Sequence, residues 1–175
     1  MAGEGDDGRE GGGTTSGPDR RPSLPSIAGG VDTSGRRTRP TILLVDDERL
    51  VRRTIARVLG RVGSRVFECQ TSEEALRILG EEDAVQILLT DVSLGDGTNG
   101  KELADAARAE HPDLAVVFTT GLSEIELGER GVDPEQEHVL LKPFTPQQLV
   151  AALREALEEA YLKRQRRDQQ SSGQP

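Results

Sequence analysis

Thr41-Ile42-Leu43-Leu44-Val45-Asp46-Asp47-Glu48 is a short apolar run that stops on three acids. A continuous run of this length predicts a strand covered on both faces, as in a parallel sheet with helices above and below. A helical pattern follows, with Leu50, Val51, Ile55, Val58 and Leu59 as its stripe and Gly60 and Gly63 as stop signals. Ser64–Cys69 then alternates as a strand. Thr71-Ser72-Glu73-Glu74 opens a second helix, with Thr71 as the N-cap and Glu74 three residues on.

The alternation continues to the end of the apolar sequence. Val85–Thr90 is a third strand that ends at Asp91, and a loop rich in Gly, Asp, Thr and Asn spans 93–100. A helix from about Gly100 to Glu110 is ended by Pro112. Leu114–Thr119 is the fourth strand, and a short helix is expected from about Ser123 to Glu129. Val139-Leu140-Leu141 is the fifth strand and leads into Lys142-Pro143-Phe144. Thr145 and Pro146 cap and open a last helix, striped by Leu149, Leu153, Leu157 and Tyr161. Five strands alternating with five helices imply an α/β fold, a doubly wound parallel sheet with right-handed crossovers.

The chain has 175 residues, with 22 Lys+Arg against 31 Asp+Glu and a formal net charge of −9. Surplus acid argues against general nucleic-acid or anionic-membrane binding. A single cysteine, Cys69, excludes an internal disulfide framework and a thiolate metal cage built from one chain. No apolar run approaches the roughly 18–20 residues that span a bilayer, and the N-terminus lacks the apolar stretch of a signal peptide. The expectation is a cytoplasmic protein. Residues 1–40 carry six acids, six arginines, ten glycines and four prolines, and read as a disordered tail. Residues 41–161 hold the apolar periodicity and are the expected domain. Residues 162–175 carry four bases and one acid and read as a polar, basic tail. Its run Lys163-Arg164-Gln165-Arg166-Arg167 most simply extends the last helix, whose C-terminal dipole favours cations.

In a parallel sheet the carboxyl ends of the strands share one edge, where ligands bind. Strand one ends in Asp46-Asp47, strand three in Asp91, strand four in Thr119-Thr120 and strand five in Lys142. Three carboxylates, a hydroxyl and an ammonium are therefore expected in one pocket. Clustered carboxylates repel unless a cation intervenes, and a hard divalent ion such as Mg²⁺ suits oxygen ligands. Such a pocket is suited to a phosphoryl group, and a carboxylate can itself be the nucleophile.

The residues Ile42–Glu48, Leu88-Leu89-Thr90-Asp91, Phe118-Thr119-Thr120-Gly121 and Leu141-Lys142-Pro143-Phe144 resemble the CheY-like response-regulator receiver domain of two-component signalling. The resemblance covers about residues 40–161. It implies a flavodoxin-like sheet of order 2-1-3-4-5, with Asp91 as phosphoacceptor. Asp47 and Asp91 would bind Mg²⁺ directly, Asp46 mostly through water, and the backbone carbonyl of Ser93 would add a ligand. Thr120 would be the switch hydroxyl, Lys142 would pair with phosphoryl oxygen, and the bond before Pro143 would be cis. The implied partners are a histidine kinase or histidine phosphotransfer protein and a downstream protein. No nucleic acid or membrane is implied. The only catalysis implied is the domain's own phosphorylation and dephosphorylation. Ser93 and Leu122, each two residues past a site residue, are expected to set the lifetime of the phosphorylated state.

Three departures from the family pattern stand out. Gly95 replaces a proline four residues after Asp91, in a loop about one residue longer than usual. Val139 occupies the place of the switch aromatic, as in receivers fused to hybrid histidine kinases. No output domain follows the last helix, so a stand-alone receiver is expected. A receiver fold used as a phosphorylation-independent scaffold is the main alternative. Gly95-Asp96-Gly97-Thr98-Asn99 also resembles a motif of haloacid-dehalogenase-like phosphatases. That family needs an early Asp-x-Asp, which Asp46-Asp47-Glu48 does not provide.

Overall fold

The computed structural model describes residue 27 and residues 39–95 and 97–171. The strands are β1 (Thr41–Val45), β2 (Arg65–Cys69), β3 (Val85–Asp91), β4 (Ala115–Thr120) and β5 (His138–Leu141). The helices are α1 (Arg49–Arg61), α2 (Ser72–Glu81), α3 (Gly100–Glu110), α4 (Glu124–Glu129) and α5 (Pro146–Ser171). The sheet order is β2-β1-β3-β4-β5, with every pairing parallel. Val45, the last residue of β1 before Asp46, pairs with Thr90, Asp91 pairs with Thr119, and Thr120 pairs with Leu141. This register brings the chemistry-bearing ends together on one edge.

Alternation along each strand divides the core into two layers. Leu43, Val45, Leu88, Val116 and Phe118 pack with residues of α2, α3 and α4. Ile42, Leu44, Ile87, Leu89 and Val117 pack with residues of α1 and α5. Helix caps form, at Thr71 and Thr145 as expected and also at Ser123. Thr71 Oγ1 accepts from Glu74 N at 3.2 Å, and Ser123 and Glu126 make a reciprocal capping box. Gln148 and Thr145 bond in the same reciprocal way at the start of α5.

One sequence expectation changes. Leu50, read as part of the apolar stripe of α1, is 81% exposed. At 100° per residue it lies about 140° around the helix from Ile55, which faces the core. The basic run 163–167 extends the last helix, as expected, and α5 continues to Ser171. Arg164 and Arg167 reach Asp113 and hold this extension against the end of the domain. Ile27, inside the segment read as lacking an apolar anchor, is buried in the α1–α5 layer. The rest of 1–38 lies outside the described residues. Ile27→Ala should therefore lower unfolding stability by about 2–4 kcal/mol, the range for emptying a core site. A chemical denaturation midpoint unchanged from wild type would contradict that packing.

Candidate functional site

The pocket begins with the turn from β1 into α1. Asp46 is fully buried, and each of its oxygens is used. Oδ1 accepts from Glu48 N at 2.8 Å, Oδ2 from Lys142 Nζ at 3.1 Å, and the backbone carbonyl from Arg52 Nη1 at 2.5 Å. Asp91, at the end of β3, accepts from Lys142 Nζ at 2.5 Å and from Ser93 N at 2.9 Å. One ammonium thus bridges two carboxylates carried by different strands. Lys142 itself follows β5, and its backbone N–H donates to Thr120 O at 2.7 Å. The Lys142–Pro143 bond is cis, as the family resemblance implies.

The electrostatics follow from this arrangement. Burial raises the Asp46 carboxyl above the usual carboxylate range, and nearby Asp91 adds to the rise while Lys142 opposes it. Burial works against the Lys142 ammonium, but its bonds and proximity to Asp91 and Asp46 prevail and its pKa is raised. Lys142 is therefore held charged, with its side chain 21% exposed toward the cleft. Cys69 ends β2 beside Val45 and is buried in the core layer with α2 and α3. Burial pushes its thiol up to about 12, which makes it a poor nucleophile.

Asp47 stands apart from its neighbour, exposed at the mouth of the cleft. The β3–α3 loop closes over it. A Cβ built on Gly95 would lie 2.4 Å from Asp47 Oδ2, so a side chain at 95 would displace that carboxylate. A Cβ on Gly100 would lie 2.1 Å from the Asp91 carbonyl, against backbone that cannot yield cheaply. Asn99 caps α3 at Lys101 N, and its amide donates to Arg130 O beyond α4 at 2.7 Å. Arg108 grips Glu137 through two bonds of 2.8 and 2.7 Å, which ties α3 to the segment before β5. Asp96, in the string likened to phosphatases, lies outside the described residues.

The expected site residues thus divide into groups. Asp46, Asp91 and Lys142 are in direct contact. Ser93 is joined to Asp91 through its backbone N–H, and its buried hydroxyl is without a hydrogen-bond partner among the described residues. Thr120 is buried on the adjacent strand, with its hydroxyl accepting from Leu122 N at 3.0 Å. Asp47 faces the same edge from outside the Lys142 bridge. Among the described residues no three acidic, histidine or cysteine side chains form a ready metal cage. The donor set nevertheless fits a hard divalent cation, because it consists of carboxylates and a polar loop with an unpartnered buried hydroxyl. Sequence reasoning marked Gly95 as a departure from the family pattern but missed Arg52 and Gly100 as parts of the site. Gly100 was visible only as the start of α3, and nothing about an arginine in α1 predicts that it turns back to β1.

A family model described as the response regulator receiver domain matches residues 42–154. The response regulator receiver protein CpdR of Brucella abortus is 32% identical over 116 residues, 66% of this chain and 95% of that protein. The sensor kinase CckA of the same organism is 34% identical over 119 residues, 67% of this chain but 12% of the kinase. The crystal structure of a response regulator receiver protein from Sinorhizobium medicae superposes with a TM-score of 0.63 at 28% identity. It covers 70% of this chain and 97% of that one. Among the described residues no helix is long and apolar enough to cross a membrane.

Proposed function

The chain belongs to the response regulator receiver domain family, and from that premise we propose that it accepts a phosphoryl group on Asp91 from a phosphohistidine. The donor would be a histidine kinase or a histidine phosphotransfer protein. The observation that carries this reading is the Lys142 ammonium bonded to both Asp46 and Asp91 at the carboxyl edge of the sheet. That arrangement keeps an ionised carboxylate beside a fixed cation able to meet phosphoryl oxygens.

A carboxylate oxygen of Asp91 attacks phosphorus as the P–N bond of phosphohistidine breaks. The imidazole nitrogen keeps the electron pair and takes a proton. The acyl phosphate replaces one negative charge with roughly two. Lys142 then shifts its pairing from carboxylate to phosphoryl oxygen, and Thr120 exchanges its bond to Leu122 N for one to the phosphoryl group. Asp47, Asp91 and the Ser93 carbonyl would hold Mg²⁺, with Asp46 acting through water. The ion supplies charge neutralisation and alignment of the phosphoryl oxygens. Water later attacks phosphorus and releases phosphate, which restores the carboxylate.

The output is a changed protein-binding surface around α4 and β5. Val139 in place of an aromatic favours a second reading, a scaffold whose contacts do not depend on phosphorylation. Intact mass after incubation with acetyl phosphate separates the two. One added phosphoryl group with Mg²⁺, absent with EDTA and lost on standing, is the expected result. No added mass in a folded, Mg²⁺-saturated protein would favour the scaffold.

A further inference from the structure

We propose that Arg52 is a positioning residue for the cation site, acting through the backbone between Asp46 and Asp47. This rests on the phosphoacceptor reading and extends it to a residue outside the strand-end constellation. Arg52 lies one turn into α1, yet its guanidinium turns back and donates to the Asp46 carbonyl at 2.5 Å. Its side chain is only 13% exposed, and Glu68 on the edge strand β2 lies 3.9 Å from its Nε. Arg52 N also donates to Glu48 O at 2.9 Å, so the same residue closes the first turn of α1 and grips the peptide before it.

Glu48 stands at the N-cap of α1 without a side-chain cap, and the first turn holds no acid. The Asp46 carboxylate bonds Glu48 N in an Asx turn across the Asp46–Asp47 peptide and also bonds Lys142, while the carbonyl of that peptide is held by Arg52. The carbonyl bonded by Arg52 belongs to that peptide, whose nitrogen is Asp47's. Its orientation sets where the Asp47 carboxylate starts from. Asp47 is exposed and meets the backbone of Gly95 closely, so no buried packing fixes it instead.

Charge and position predict opposite signs, which makes the role measurable. A cation near the pocket repels Mg²⁺, so if Arg52 mattered only as a charge, its removal would tighten Mg²⁺ binding. If it holds the turn, its removal weakens binding despite the lost repulsion. Supporting residues behind metal ligands commonly contribute 10- to 100-fold in affinity.

The test is a Mg²⁺ titration of the full chain without any phosphodonor, followed by backbone amide shifts of Asp47 and Asp91. Arg52→Ala is expected to weaken Mg²⁺ about tenfold. Arg52→Lys, which keeps the charge and one donor but loses the fork, is expected to fall between it and wild type. Affinity in Arg52→Ala equal to or tighter than wild type overturns the proposal. If Arg52→Ala does not fold, Arg52→Lys decides, and wild-type affinity in that variant overturns it. Absence of Mg²⁺ binding by the wild type itself overturns both this role and the metal-dependent reading. That outcome is distinct from tight wild-type binding that is indifferent to residue 52.

Discussion

Asp91→Asn should carry no phosphoryl group after incubation with Mg²⁺ and acetyl phosphate, under conditions that load the wild type. The amide nitrogen has no free electron pair suited to attack, and the amide oxygen is a far weaker nucleophile than a carboxylate. The fold should survive. Asn can still accept from Ser93 N through its oxygen, and Lys142, whose bond to Oδ2 is lost, keeps Asp46 as a partner. The loss is therefore chemical, and a melting temperature close to wild type should accompany it. Mass gain in folded Asp91→Asn would place the phosphoryl group elsewhere and remove Asp91 from its role.

Lys142→Ala has the second large effect, and it appears in stability before it appears in signalling. The substitution leaves Asp46, whose side chain is 1% exposed, facing Asp91 with no cation between them. Breaking a fully buried pair costs about 3–5 kcal/mol, and partial exposure of Lys142 reduces this to about 2–3 kcal/mol. The pH dependence has a definite sign. Burial already raises the Asp46 pKa, and loss of Lys142 raises it further. A carboxyl whose folded pKa lies above its unfolded value binds protons preferentially in the folded state. Stability of the variant should thus rise as pH falls from neutrality toward the ordinary carboxylate range. Added Mg²⁺ should restore part of the loss at neutral pH by replacing the missing charge. Denaturant melts at several pH values, with and without Mg²⁺, check all three statements. A flat pH response would mean that the two carboxylates are not coupled through Lys142. Some phosphorylation should remain in this variant, but amide shifts around α4 and β5 should no longer respond to it.

Much of the fold was legible because three of the five strand runs stop on a residue that a sheet interior would reject. Asp46, Asp91 and Lys142 mark three strand ends, and a parallel sheet admits only one edge for them. The helix starts were equally local, since Thr71, Ser123 and Thr145 cap with residues three positions on. What the sequence did not disclose depends on tertiary placement. Leu50 fits an apolar pattern but lies on the wrong side of α1. Arg52 looks like any exposed helix arginine until the turn before it is seen to need a donor. Ile27 sits in a Gly- and Pro-rich stretch whose composition conceals a buried anchor. Asp47 and Thr120 lie at the same edge, but their separation from the Lys142 bridge is a matter of side-chain direction that spacing cannot express.

α5 is a rod of 26 residues seated at one end beside the pocket. At 1.5 Å per residue it is about 39 Å long. Leu149, Val150, Leu153 and Ala156 bind its first half to the sheet, whereas beyond Tyr161 surface ion pairs to Asp113 are its main tether. Such pairs are worth at most about 1 kcal/mol each, and salt screens them. The far half of the helix is thus held by a weak latch, one that raised ionic strength loosens while the buried half stays seated on the sheet.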